Sequence, residues 1–147
     1  MMEPLRIWKR VESQSYSMID VVAAVIESEG RYLIARRAAH KTQAGKWEFP
    51  GGKVEANESL QAALVREFLE EFGVRLSVGG ILLSNKHQYP EFEINLIALS
   101  ATPEDQVVDS TDHDQLEWVY PQNLSTYQLC DADMPIVEYL QGQGIAQ

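Results

Sequence analysis

Hydrophobic residues run almost without interruption from residue 19 to residue 27 (IDVVAAVIE), which is typical of a strand buried on both faces. A turn follows at Ser28-Glu29-Gly30, and residues 31–37 (RYLIARR) then complete a predicted hairpin. The next segment contains glycine and proline breakers and is predicted to be a loop over residues 38–57. Three further strands are predicted at 80–88, 92–100 and 116–120.

Two helices are predicted from the same pattern. Residues 58–72 have the periodicity of an amphipathic helix, and Gly73 stands where helices commonly end. One broad arc of this helix is apolar and is expected to face the core: Leu64, Val65, Phe68, Leu69 and Phe72. A second, shorter helix is predicted to begin near Asp133, with Pro135 in its first turn and Gly142 at its end.

The order of these elements indicates one α/β domain with a mixed sheet over residues 19–147. Residues 101–114 are polar and acidic and are predicted to form a loop. Residues 1–18 are interpreted as an N-terminal extension, either a tail or an added strand. They lack the apolar core of a secretory signal, and no apolar run approaches the roughly 20 residues of a membrane span. We therefore expect neither secretion nor membrane insertion.

Charge and cysteine content narrow the class of ligand. The chain of 147 residues carries a net charge of −10, which argues against binding long DNA or RNA. Half of its twelve basic residues nevertheless lie between positions 31 and 53, interrupted by one acid, Glu48. This local excess suits a small anionic ligand, although a solvated loop of mixed charge would also explain it. The single cysteine, Cys130, excludes an internal disulfide and favours a reducing, cytoplasmic location.

Three glutamates form a compact acidic group on the first helix. Glu67, Glu70 and Glu71 are spaced i, i+3, i+4, so their carboxylates are neighbours on the side opposite the apolar arc. Like charges at this spacing destabilise an isolated helix by a few tenths of a kcal/mol per pair. A divalent cation would reverse that effect, and hard oxygen ligands suit Mg²⁺, with Mn²⁺ as an alternative. An ordinary solvated helix face is the competing interpretation.

The surrounding residues favour the metal interpretation. The stretch from Gly52 to Val74 (GKVEANESLQAALVREFLEEFGV) places Glu58, Arg66-Glu67, Glu70-Glu71 and Gly73 at the fixed intervals of the Nudix box. The chain therefore resembles the Nudix hydrolases over roughly residues 19–141. This resemblance implies an α/β/α sandwich with a mixed β-sheet and a loop–helix–loop site.

The resemblance also implies roles for individual residues. Glu67, Glu70 and Glu71 would be metal ligands, completed by the backbone carbonyl of Gly51. Glu58 and Arg66 would support them, since a guanidinium among carboxylates can fix their rotamers. Gly52 would bring the backbone close to the site, although a tight turn alone would also explain both glycines.

A carboxylate is needed to accept a proton from the attacking water, and the sequence offers two. Glu67 is one candidate base. The other is Asp112, which precedes Trp118 by six residues, as a glutamate often precedes a strand tryptophan in relatives of the MutT type. Asp112 is one methylene shorter than that glutamate, and Asp114 is a nearby rival.

Two cations are candidates for holding phosphate oxygens. Arg37 ends a predicted strand, and Lys53 directly follows the two glycines. Because neighbouring residues on a strand face opposite sides, at most one of Arg36 and Arg37 is expected to point into the site. A structural ion pair is the alternative for each of these residues.

The nucleotide base is expected to bind at the other end of the site. The run from Trp47 to Lys53, which includes Glu48 and Phe49, resembles the MutT-type subgroup. Tyr89 is a candidate stacking surface. Asp133 matches a position where MutT has a base-reading asparagine and CTP pyrophosphohydrolases have aspartate. A carboxylate accepts hydrogen bonds and so favours the amine of cytosine, while a helix N-cap is the alternative.

The resulting expectation is a magnesium-dependent nucleoside triphosphate pyrophosphohydrolase. Its candidate substrates are CTP, dCTP, 5-methyl-dCTP and 8-oxo-dGTP. Two alternatives stay open: a Nudix hydrolase of ADP-ribose or a nucleotide sugar, and a Nudix-like nucleotide-binding module without activity. The expected partner is a nucleotide, not long nucleic acid or a membrane; the sequence does not decide between a monomer and a homodimer.

Overall fold

The structure is a computed structural model that describes residues 18–145. Apart from Met18, the predicted N-terminal extension lies outside these residues. The elements, in chain order, are β1 (Met18–Val25), β2 (Glu27–Ser28), β3 (Arg31–Arg37), β4 (Trp47–Glu48), β5 (Gly51–Lys53), α1 (Leu60–Phe72), β6 (Leu76–Gln88), β7 (Glu93–Pro103), β8 (His113–Val119) and α2 (Met134–Ile145). Two short 3₁₀ segments, Pro121–Thr126 and Asp131–Asp133, connect β8 to α2.

The strands form two four-stranded sheets. The first has the order β5-β1-β7-β6 and is mixed, because β1 is parallel to β7 while the other neighbours are antiparallel. In the second sheet β3 is central and pairs with β2, β4 and β8, all antiparallel. The prediction of one mixed sheet is thus incomplete, since the β2–β3 hairpin starts a separate sheet.

Two hydrophobic clusters place the helices on opposite sides of the strands. Val22 and Ala24 of β1 pack in the cluster that contains the apolar face of α1. Ala23 and Val25 of the same strand pack in the cluster that contains the apolar face of α2. This alternation follows from the two-residue period of a strand. The predicted α/β/α sandwich is confirmed.

The ends of α1 are set by local capping. The Ser59 hydroxyl accepts a hydrogen bond from the Ala62 amide at 3.1 Å, so the helix begins at Leu60 instead of residue 58. Gly73 ends it as predicted, with φ of 70° and its N–H donating to the Leu69 carbonyl. The expected core position of Leu69 is wrong: its side chain is 43% exposed, and Ala63 is buried instead. The buried stripe is therefore narrower than the apolar arc.

Other departures from the predicted elements have local causes. The predicted loop 38–57 contains β4 and β5, which are too short to show a periodic pattern. Strand β6 begins four residues early because the chain passes through Gly79-Gly80 as an irregularity in its pairing with β7. Helix α2 continues past Gly142 to residue 145. No helix within residues 18–145 is long and apolar enough to cross a membrane.

The predicted loop 101–114 is shortened at both ends. Strand β7 continues to Pro103. Strand β8 begins at His113, which pairs with Arg37, whereas Arg36 pairs with Gln115, so Asp114 is an extra, bulged residue of β8. Arg36 and Arg37 are neighbours on β3 and face opposite sides of the strand.

Candidate functional site

A cleft of about 800 Å³ opens beside α1, at the edge formed by β1 and β5. The loop between β3 and β4 and the hairpin between β6 and β7 supply further parts of its wall. Every predicted site residue except Glu58 lines this cleft. The cleft therefore brings together positions that are more than 90 residues apart in the sequence, from Arg37 to Asp133.

Arg66 organises the acidic face of α1. Its Nε donates to Glu58 Oε2 at 2.7 Å and its Nη2 donates to Glu58 Oε1 at 3.0 Å, which makes a bidentate pair. Its Nη1 reaches Glu67 at 3.2 Å and Glu70 at 3.5 Å, and its Nη2 also donates to the Lys53 carbonyl. The hydrogen bond from Arg66 and that from the Glu55 backbone lower the pKa of Glu58 to about 2. Glu58 thus holds Arg66 from outside the cleft.

The two glycines of β5 allow close approaches on opposite sides. A Cβ on Gly52 would lie 2.3 Å from the Glu67 carboxyl carbon, so a larger residue there would displace the Glu67 carboxylate from its present position. A Cβ on Gly51 would lie 1.8 Å from the Val22 carbonyl oxygen on β1. Gly51 is therefore required for the packing of β5 on β1, whatever else its carbonyl does.

Glu71 is the most deeply placed of the three carboxyls. Burial, followed by its hydrogen bond with Glu67 and the negative charge of Asp112, raises the pKa of Glu71 well above its usual range. Its backbone carbonyl accepts a hydrogen bond from the Thr111 amide at 2.9 Å, which joins the end of α1 to the segment before β8. A cation beside Glu71 would favour its charged form.

The chemical type of the available ligand atoms suits a hard divalent cation. Glu67, Glu70 and Glu71 offer carboxylate oxygens from a single rigid helix, which is what Mg²⁺ and Mn²⁺ prefer. Within residues 18–145 no three acidic, histidine or cysteine side chains already form a ligand group. Arg66 lies between Glu67 and Glu70 and donates to both, and Glu70 is 60% exposed. A cation would therefore draw these carboxylates partly away from Arg66.

The inner end of the cleft contains a polar network around Glu48. Arg37 Nη1 donates to both Glu48 oxygens at 3.0 and 3.1 Å. The buried ring of His113 places Nε2 2.8 Å from Glu48 Oε2 and Nδ1 2.8 Å from Ser110 Oγ. Because a carboxylate only accepts, Nε2–H donates to Glu48 and the Ser110 hydroxyl faces Nδ1. The role of His113 was missed because its partner Glu48 is 65 residues away.

Arg37 and Arg36 diverge at the bulge. Arg37 lines the cleft, but its Nε donates to the Thr42 carbonyl and its Nη2 to the Thr42 hydroxyl. Arg36 instead donates to Asp114 at 2.8 Å and lies 6.0 Å from the Trp47 ring. As the alternation argument anticipated, only one of the two arginines faces the cleft. The described hydrogen bonds of Arg37 use its Nε, its Nη1 and one N–H of its Nη2.

Asp133 is buried beneath the inner end. Its Oδ2 accepts a hydrogen bond from the Phe49 amide at 2.8 Å, a contact 84 residues away in sequence. Burial, together with the charge of Glu48, raises the pKa of Asp133 to about 8. The N-cap interpretation requires a bond to the first turn of α2, whereas this bond goes to the chain before β5. Burial also raises the pKa of neighbouring Cys130 to about 12, which leaves an unreactive packing thiol.

Two aromatic residues of the predicted site, Tyr89 and Phe49, differ in whether their rings are accessible from the cleft. Tyr89, in the β6–β7 hairpin, lines it, with its ring centroid 5.6 Å from Phe92 and 4.6 Å from His87. Phe49 is only 2% exposed, so its ring packs in the core. The contribution of Phe49 that the structure describes is its amide, which holds Asp133.

Asp112 lies beside the end of α1, where its negative charge acts on Glu71, and it is held by a lysine that the sequence analysis does not single out. Lys41 Nζ donates to Asp112 Oδ2 at 3.1 Å, and the Thr111 hydroxyl donates to Oδ1 at 3.1 Å. Burial tends to raise the pKa of Asp112, but the hydrogen bond and charge of Lys41 outweigh it and lower that pKa. The rival Asp114 is outside the cleft lining and pairs with Arg36.

Comparisons with known proteins agree with this fold. A NUDIX domain model matches residues 21–139. The chain is 41% identical over 121 residues to a CTP pyrophosphohydrolase of Escherichia coli, covering 82% of this chain and 90% of that one. It is 37% identical over 79 residues to an 8-oxo-dGTP diphosphatase of Proteus vulgaris, covering 53% and 70%.

Solved structures agree. The solution structure of the E. coli ORF135 protein superposes with a TM-score of 0.76 at 39% identity, covering 91% of this chain and 96% of that one. The crystal structure of a MutT protein from Methanosarcina mazei has a TM-score of 0.77 at 28% identity, covering 88% and 96%.

Proposed function

The chain belongs to the Nudix family, and from this premise we propose that its cleft hydrolyses nucleoside triphosphates to the monophosphate and pyrophosphate. The observation that carries the proposal is the packing of the Glu67 carboxylate against Gly52, beside the partly buried Glu71 and beside Arg66, which Glu58 holds in place. A merely solvated helix face would need none of these contacts. The intact carboxylates also weigh against a module without activity.

Nudix hydrolases generally need a divalent metal, and here Glu67, Glu70, Glu71 and the Gly51 carbonyl would hold it. Bound there, Mg²⁺ would offset phosphate charge and make water a better nucleophile. Seven acidic and four basic side chains line the cleft, so the protein alone repels a triphosphate. Mg²⁺ is the metal proposed for this site, and Mn²⁺ is the alternative.

The protein's own residues position the reaction. Hydrolysis forms a bond from the water oxygen to phosphorus and breaks the bridging bond to the leaving pyrophosphate, which departs with the electron pair. The water proton passes to a carboxylate, for which Glu67 and Asp112, both of which line the cleft, are the candidates. Lys53 and Arg37 are proposed to contact phosphate oxygens, and Arg66 orients Glu67 and Glu70.

Recognition of the base is assigned to Glu48, Tyr89 and Asp133. Tyr89 offers a ring for stacking. Asp133 offers a carboxyl whose second oxygen, beyond the one bonded to Phe49, can face a base. As a carboxylate it accepts from the amine of cytosine, and with its pKa near 8 it can also be protonated and donate. This favours cytosine nucleotides, with 8-oxoguanine nucleotides as the second candidate, in line with the names of the relatives.

The decisive experiment is a panel of nucleotides assayed for pyrophosphate release with and without Mg²⁺. The panel contains CTP, dCTP, 5-methyl-dCTP, 8-oxo-dGTP and ADP-ribose. Release of pyrophosphate from CTP or 8-oxo-dGTP, abolished by EDTA, is the expected result. Turnover of ADP-ribose or nucleotide sugars alone would indicate the diphosphate alternative, and no turnover would indicate a binding module. The same preparation, examined by light scattering, decides between monomer and homodimer. A cytoplasmic location remains part of the proposal.

A further inference from the structure

We propose that Lys41 exchanges partners when substrate binds: its ammonium holds Asp112 in the free protein and moves to the triphosphate in the complex, which frees Asp112. This inference rests on the proposed function and adds a residue to it. It concerns the part of the cleft where the segment that carries Lys41 meets the segment that carries Asp112.

The cations that line the cleft differ in how firmly they are held. Arg66 donates to Glu58, Glu67 and the Lys53 carbonyl, and Arg37 donates to Glu48 and twice to Thr42. Their planar guanidinium groups are thereby fixed in several directions at once. Lys41 makes one hydrogen bond of this kind, to Asp112 Oδ2 at 3.1 Å, from a flexible stem with three donors. Lys41 is thus better suited to moving than either arginine.

The backbone around Lys41 is held by several hydrogen bonds, whereas its side chain is held by the single hydrogen bond to Asp112. The Lys41 amide donates to the Ala38 carbonyl, and the Ala38 amide donates to the Asp112 carbonyl at 3.0 Å. Gly45 N–H donates to the Arg37 carbonyl, which closes the same loop. Movement of the Lys41 side chain therefore needs no movement of the loop. Its side chain is 32% exposed at the cleft, so an anionic ligand can reach the ammonium.

Asp112 remains oriented after Lys41 leaves. Its Oδ1 keeps the hydrogen bond from the Thr111 hydroxyl, and its backbone amide keeps the Ser110 hydroxyl. Loss of the ammonium would leave Oδ2 able to accept a hydrogen bond from a water molecule. A phosphate group and Asp112 thus compete for one cation. The presence of substrate and the availability of this carboxylate are thereby linked.

Competition between phosphate and Asp112 for Lys41 predicts the direction in which substitutions change the affinity for a triphosphate. The substitution Asp112→Asn keeps the shape of the side chain but removes its charge, so Lys41 no longer has to break an ion pair to bind phosphate. We expect Asp112→Asn to bind α,β-imido-CTP, an analogue that cannot be cleaved at this linkage, several-fold more tightly than wild type. Lys41→Met should weaken binding about tenfold in the wild-type background and several-fold more than that in the Asp112→Asn background.

The test is calorimetric titration of α,β-imido-CTP at fixed Mg²⁺ into wild type, both single variants and the double variant. Tighter binding by Asp112→Asn that disappears in the double variant supports partner exchange. Tightening that persists in the double variant overturns it, because simple removal of negative charge would then suffice. No effect of Lys41→Met in the Asp112→Asn background also overturns it, because Lys41 would then only position Asp112.

Matched controls separate local from general effects. Lys46→Met removes a lysine of the same loop that does not line the cleft, and Asp114→Asn removes an acid that pairs with Arg36. Both should leave affinity for the analogue within about twofold of wild type. Lys41→Arg should restore most of the binding, and thermal melting verifies that each variant is folded. The cycle needs no turnover, so failure of wild type to release pyrophosphate would refute the proposed function without deciding the exchange.

Discussion

The two ends of the cleft both concentrate acidic side chains, but they neutralise them differently. At the helix end, Glu67 and Glu70 share the guanidinium of Arg66 with Glu58, and Glu71 has a hydrogen bond to Glu67 but none to Arg66. At the inner end, the Glu48 carboxylate accepts from Arg37 twice and from His113.

At this inner end the protein itself satisfies the carboxylate, which suits a fixed recognition surface. At the helix end the carboxylates outnumber the positively charged side chains that the protein places beside them. Such an excess of negative charge suits a site that binds added cations. The way in which buried charge is compensated thus distinguishes a surface for recognition from a site for chemistry.

The largest expected effect tests the helix end. Glu70→Gln removes a charged ligand while keeping the side chain's shape, and we expect pyrophosphate release at saturating Mg²⁺ to fall by at least about 100-fold, since even supporting residues of metal sites cost 10–100-fold. Glu55→Gln is the matched control, because Glu55 is a more exposed acid beside the same arginine. Near wild-type, magnesium-dependent activity in Glu70→Gln would remove the assigned site.

Replacing one arginine at each end compares the two directly. Arg66→Lys loses the bidentate pair with Glu58, and we expect kcat to fall about 10–100-fold and the Mg²⁺ requirement to rise. Arg37→Lys loses the forked contact with Glu48, and we expect KM for the nucleotide to rise more than kcat falls. Steady-state kinetics over a grid of Mg²⁺ and CTP concentrations measures both. Identical patterns in the two variants would mean that the two ends do not differ in role.

Asp133→Ala probes recognition at the inner end. We expect the ratio of kcat/KM for CTP to that for 8-oxo-dGTP to change about tenfold, within the range that a hydrogen-bonding position contributes to specificity. Asp131→Ala, an exposed neighbour, should leave that ratio unaltered. An unchanged ranking together with a lower melting temperature would instead support a purely structural role through the Phe49 amide.

The smallest effect is a dependence of stability on pH. Glu71 and Asp133 have pKa values raised above those of the unfolded chain, so the folded protein binds more protons than the unfolded one between about pH 5 and pH 8. The free energy of unfolding in EDTA should therefore decrease as pH rises, lowering Tm by at least about 3 °C, the shift that roughly 1 kcal/mol produces.

Magnesium should oppose this decrease, because metal binding displaces protons from its ligands, and activity should have a basic pH optimum. Scanning calorimetry with and without Mg²⁺ measures the difference. In Glu71→Gln the pH dependence should be reduced, and an unchanged slope in that variant would show that Glu71 does not bind the extra proton.

The features that can be predicted from the sequence are those that the spacing of nearby residues determines. The acidic face of α1 follows from the intervals among Glu67, Glu70 and Glu71, and Gly73 ends the helix through its own backbone preference. The pairing of Lys41 with Asp112 spans 71 residues, and it depends on how the loop before β4 meets the segment before β8. No periodicity encodes such a contact.

Leu69 and β6 illustrate the same limit in the fold. Leu69 is apolar, but it lies outside the buried stripe of α1 and is 43% exposed. The predicted strand begins at residue 80, yet β6 begins at Leu76 and passes through Gly79-Gly80, because β7 pairs with it on both sides of the irregularity. In both cases tertiary packing overrides the local preference.

The stacking of Phe72 on His113, with ring centroids 5.4 Å apart, ties the last turn of α1 to the start of β8. The hydrogen bond from the Thr111 amide to the Glu71 carbonyl adds a second tie beside it. Deuterium uptake at these amides should therefore rise and fall together, as one cooperative opening unit, although the two segments are distant in sequence. Whatever loosens the end of this helix will, by the same connection, also displace Asp112, which directly follows Thr111.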